Sequence, residues 1–167
     1  PASSIWDNEN VKIQLLSDLH LEAEPGFKPT PAPGTDVLVL AGDIGSYQHG
    51  SQLADADFGL ARFSPRHGWP TPVLFVPGNH EYDAQDFDLA HDRLREACAR
   101  LEIRLLEQEV VTAAELLGSS APAVRFVGTT LWSDFDALNP AAQSASGTLT
   151  QVLQARDNAF RAAVHNH

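Results

Sequence analysis

The chain has 167 residues, about one domain at the usual roughly 100–200 residues each, and its 43% apolar content can bury a real core. A formal charge of −11, from 22 acidic and 11 basic residues, argues against strong non-specific nucleic-acid binding, which needs clustered Lys and Arg. No run of about 18 apolar residues is present, so no transmembrane helix and no membrane partner is expected.

The lead-in over residues 1–10 lacks the basic-then-apolar order of a signal peptide. Val11 to Leu16 reads as a first buried strand, ending at Ser17-Asp18-Leu19-His20. The Pro/Gly-rich stretch from Glu24 to Gly34 blocks both helix and central-strand pairing. Asp36 to Ala41 is a second continuous apolar strand, stopped by Gly42-Asp43. Gln52 to Phe63 has helical spacing, with Leu53, Ala56, Leu60 and Phe63 on one face. Pro72 opens a third strand, Val73 to Val76, which breaks at Pro77-Gly78.

A second helix is predicted from Phe87 to Leu101, with Leu89, Leu94, Ala97 and Leu101 inside. It also carries Cys98, the one cysteine, which has no partner in the chain; a reducing, cytoplasmic setting follows. Short β segments come next at Ile103 to Leu106, Val110 to Thr112 and Val124 to Thr129. The small polar segment from Asn139 to Thr148 reads as a loop, and Leu149 to Val164 as a last helix.

Uninterrupted apolar strands alternating with helices predict an α/β layer with a largely parallel sheet, whose strands are buried on both faces. In such sheets ligands gather beyond the carboxyl ends of the strands. Each of the first three strands ends in residues of a restricted kind: Asp18-Leu19-His20, then Gly42-Asp43, then Gly78-Asn79-His80-Glu81. If the strands are neighbours, Asp18, His20, Asp43, Asn79 and His80 share one rim. Their oxygen and nitrogen donors suit Mn, Fe, Zn or Ni rather than a thiolate zinc site. Gly42 and Gly78 would permit the sharp turns that bring backbone close to an ion. Taken singly, each block also reads as an ordinary turn.

These three blocks, in this order, resemble the first signature blocks of the calcineurin-like metallophosphoesterases, and Phe126 to Phe135 is similar to a stretch of bacterial members. The resemblance covers roughly Lys12 to Phe135. It implies two packed mixed β-sheets flanked by helices and a site for two divalent transition metals. By that resemblance Asp18 and His20 hold the first metal, Asp43 is shared, and Asn79 holds the second. His80 faces the substrate phosphate as the catalytic residue, and Glu81 is a residue of the turn or a support behind the ligands rather than a reactant. Two cations about 3.5–4 Å apart would lower the pKa of a bridging water to hydroxide and clamp an in-line displacement.

Two features depart from the family pattern. Protein Ser/Thr phosphatases of this family carry Gly-Asp-x-x-Asp-Arg-Gly, whereas here Gly42-Asp43 is followed by Ile44-Gly45-Ser46-Tyr47-Gln48. Small phosphoesters, nucleotides or other diesters are the expected substrates, with His49 a candidate substrate contact. The family's later lone His and Gly-His-x-His blocks are not found between Phe135 and His167; His165-Asn166-His167 lacks the glycine. The expectation is therefore an N-terminal portion of one metallophosphoesterase domain, its fold incomplete and its activity weak. Such a portion should expose apolar surface and form a homo-oligomer or a strand-exchanged dimer. The rival reading is a non-catalytic metal- or phosphate-binding interaction domain. His67 and His91 read as surface positions.

Overall fold

The computed structural model describes residues 10–132 and Thr150. The chain divides into two compact units, Pro1–Thr130 and Leu131–His167, and the fold below is that of the first. The loop expected over Asn139 to Thr148, the last helix apart from Thr150, and His165 and His167 lie outside the described residues.

The three apolar runs form β1 (Ile13–Leu16), β2 (Val37–Ala41) and β3 (Val73–Val76). With the two-residue β4 (Arg104–Leu105) they make a parallel sheet in the order β1-β2-β3-β4. The runs of β2 and β3 are uninterrupted because both of their faces are covered, whereas β1, expected to be buried, is an edge strand whose residues alternate between exposed and half-buried. Leu38, Leu40, Val73 and Phe75 join one core cluster. Val37 and Leu74 join another, with Val39 and Val76 packed against it. That second cluster takes Val111 and Phe126 from an antiparallel pair, β5 (Glu109–Thr112) and β6 (Arg125–Gly128). On β1, Ile13 and Leu15 are 50% and 62% exposed, leaving an apolar edge.

Helix α1 (Phe87–Leu101) has the predicted bounds and covers the first core. The Asp86 side chain caps it by accepting from Leu89 N–H, and Glu102 closes it in the left-handed region. Its buried stripe is Ala90, Leu94, Ala97, Cys98 and Leu101, so Leu89, expected inside, is instead 59% exposed. The reason is angular: one residue is about 100° of turn, and Ala90, not Leu89, keeps step with Leu94, Ala97 and Leu101. Burial pushes the Cys98 thiol up to about 12, helped by the nearby Glu81 charge, which makes it inert as a nucleophile.

The helix expected over Gln52 to Phe63 does not form; only Leu60–Phe63 makes a single 3-10 turn. Asp55 Oδ1 accepts from Asp57 N–H at 3.3 Å and Gly59 N–H at 3.0 Å, offering the backbone an alternative to helix. Phe58 and Gly59 then sit at φ 57° and 74°. Leu60 and Phe63 are buried regardless. A short helix that periodicity missed, α2 (Ala113–Leu117), is held by a reciprocal capping box between Thr112 and Glu115. Among the described residues no helix is long and apolar enough to cross a membrane.

Candidate metal centre

The ends of β1 and β2 run on side by side beyond the sheet. Asp18 N–H donates to Gly42 O at 3.0 Å, His20 N–H to Asp43 O at 3.0 Å, and Leu21 N–H to Ile44 O at 2.9 Å. Along this track Asp18, His20 and Asp43 all adopt left-handed backbone, at φ 52°, 44° and 54°. The left-handed region costs a non-glycine residue roughly 1–2 kcal/mol, and such strain concentrates at functional sites. Replacing the exposed Asp18 with Gly should therefore leave metal-free stability unchanged or raise it by up to about 1 kcal/mol. Urea unfolding of the metal-free protein checks this.

Gly42 has φ 80°, as its turn predicts. Gly78 is required for a different reason: a Cβ there would overlap the Asp43 carboxylate. The ends of β2 and β3 are thus in backbone contact, and Asp43 Oδ1 accepts from His80 N–H at 3.1 Å.

At this rim a donor atom from each of His20, Asp43 and His80 lies within 4.8 Å of the others. The two imidazoles meet edge to face, with centroids 5.0 Å apart at 74°. Each ring is oriented through Nδ1 by a carboxylate: Glu22 Oε1 lies 2.8 Å from His20 Nδ1, and Asp83 Oδ2 lies 2.5 Å from His80 Nδ1. On His20, burial disfavours charge, but the Glu22 hydrogen bond and the charges of Glu22, Asp43 and Asp18 outweigh it and hold the pKa above 6.5. Negative charge gathered around an imidazole in this way fits a divalent cation.

Of the other sequence candidates, Asp18 is exposed and outside that three-donor group, though its charge acts on His20. Asn79 is exposed and precedes the 3-10 turn His80–Tyr82 without capping it through its side chain. His49 is exposed, next to Gln48, whose Nε2 lies 3.4 Å from Glu22 Oε1.

Glu81, expected as a turn residue or a support behind the ligands, is the support. Its side chain is fully buried, and its carboxylate collects four backbone N–H groups from both strand ends. Oε2 accepts from Gly78 at 2.7 Å and Asp43 at 3.1 Å, and Oε1 from Ile44 at 2.6 Å and Gly45 at 3.3 Å. Burial pushes its pKa above the ordinary carboxylate value, while the N–H groups of Gly78, Ile44 and Asp43 pull it back. Glu22 and Asp83 went unnoticed in the sequence reading. The signal for both was an acid two or three residues beyond a candidate His, a spacing that is common by chance. His91, read as a surface position, is half-buried and meets Tyr82 Oη through Nδ1 at 3.1 Å.

Compared with known protein families, residues 11–128 match the model described as calcineurin-like phosphoesterase. Comparison with curated proteins and with solved structures returned no match.

Proposed function

The chain belongs to the calcineurin-like phosphoesterase family, and from that premise we propose that it is a metal-dependent hydrolase of phosphomonoesters or phosphodiesters. The observation that carries this reading is the convergence of His20, Asp43 and His80 donor atoms at the carboxyl ends of parallel strands. Asp18 and His20 would hold one divalent cation, Asp43 would be shared, and Asn79 would hold a second, with Mn, Fe, Zn or Ni the fitting ions. Bound there, such cations supply Lewis acidity and a nucleophile at neutral pH.

The chain's own residues do the rest. His80, its Nδ1 on Asp83, works through Nε2 to neutralise the phosphoryl group and hand a proton to the leaving oxygen. Asp83 fixes the orientation of the ring. Glu81 holds Asp43 and Gly78 at the separation this requires. The missing Asp-Arg after Gly42-Asp43 favours small phosphoesters or nucleotides over phosphoproteins, with His49 as a contact to them.

The test is turnover of p-nitrophenyl phosphate and bis-p-nitrophenyl phosphate by the metal-stripped protein as Mn2+ is added back. Saturable, chelator-reversible hydrolysis is the expected result. Binding of Mn2+ with no turnover of either ester would overturn the enzymatic reading in favour of a binding domain.

A further inference from the structure

We propose that Glu22 is a positioning residue: it fixes His20 as the Nδ1–H tautomer, so that Nε2 is the atom offered to the cation, and ties that arm of the site to the segment beyond Asp43. The proposal rests on the metal-site reading above. A carboxylate only 4% exposed is costly unless its oxygens are satisfied, and here both are. Oε1 lies 2.8 Å from His20 Nδ1 and accepts from Gln48 Nε2 at 3.4 Å. Oε2 accepts from the N–H of the fully buried Ser46 at 3.1 Å. An ionised carboxylate only accepts, so the imidazole nitrogen facing it must carry the proton. In the neutral ring that a cation requires, the lone pair then falls on Nε2.

The connectivity gives the bond a second consequence. Ser46 lies three residues beyond Asp43, and Glu22 two beyond His20. One side chain therefore bridges the chain segments that follow two of the three donors. Backbone hydrogen bonds already run between those segments from Asp18 to Ile44. Glu22 adds the only side-chain link there, among the described residues, that ends on a donor imidazole. A purely structural role would need the Ser46 and Gln48 bonds alone and would be indifferent to which nitrogen of His20 is protonated.

Two readouts separate these roles. In metal-free protein at alkaline pH, where the ring is neutral, nitrogen chemical shifts should show His20 as Nδ1–H, and Glu22→Ala should release it to a mixture of tautomers. Mn2+ affinity should fall about 10–100-fold in Glu22→Ala and less in Glu22→Gln, whose amide oxygen can still accept from Nδ1–H while its NH2 is left facing Ser46 N–H. A wild-type His20 found as Nε2–H overturns the proposal even if Glu22→Ala does not fold. So does a Glu22→Ala protein with native tautomer and native Mn2+ affinity. If the wild type binds no Mn2+, the metal reading fails by itself, while the tautomer still decides the role of Glu22.

Discussion

Replacing His80 with Ala is expected to lower phosphoester turnover by about 10²–10⁴-fold, the usual worth of a positioned proton donor, and to leave Mn2+ binding within a few-fold of wild type. The geometry makes this a sharp test, because His80 lies in the same donor group as His20 and Asp43. A ligand at that position would lose metal on truncation, as His20→Ala is expected to, whereas a residue facing the phosphate would lose rate alone. Asp83→Asn should give a smaller fall in rate with metal retained, since it unfixes the ring without removing it. Measuring kcat and Mn2+ affinity for His20→Ala, His80→Ala and Asp83→Asn together distinguishes the roles. Equal loss of metal in the first two would make His80 a ligand and remove it as the catalytic residue.

Glu81→Ala is expected to cost about 3–5 kcal/mol, the range for stripping the partner from buried, charge-assisted hydrogen bonds. That is a large share of the roughly 5–15 kcal/mol that keeps a domain folded. The cause is specific. Gly78, Asp43, Ile44 and Gly45 would each be left with an unpaired N–H beneath the rim. Glu81→Gln should cost at least about 2 kcal/mol, because its single oxygen serves two donors while its amide NH2 faces the other two. A solvated turn carboxylate would behave otherwise: both changes would stay within about 0.5 kcal/mol. Urea unfolding of the metal-free protein separates the two, and a null result for Glu81→Ala would remove the clamp from the account.

The part of the fold legible in the sequence is the part where one physical cue dominates. β2 and β3 could be read from continuous apolar runs because both of their faces are buried, and α1 from the helical spacing of Leu94, Ala97 and Leu101. The stretch from Gln52 to Phe63 misled for the opposite reason. Its apolar spacing is helical, but the Asp55 carboxylate bonds its own backbone and turns Phe58 and Gly59 left-handed. At the site, His20, Asp43 and His80 were legible because a parallel sheet gathers its strand ends, and three blocks of metal-binding residue types follow three strands. Glu22, Asp83 and the reach of the Glu81 carboxylate were not. Their meaning lies in which nitrogen or amide they face, and spacing along the chain carries no such information.

The central claim, that three strand ends compose one cation site, is tested most directly by titrating the metal-free protein with Mn2+ and following paramagnetic broadening of its NMR signals. The account predicts that the signals of Asp18, His20, Asp43, Asn79 and His80 broaden first, at sub-stoichiometric ion, and that Asp43→Asn abolishes the effect. Broadening scattered over the acidic surface, or unchanged in Asp43→Asn, would contradict it.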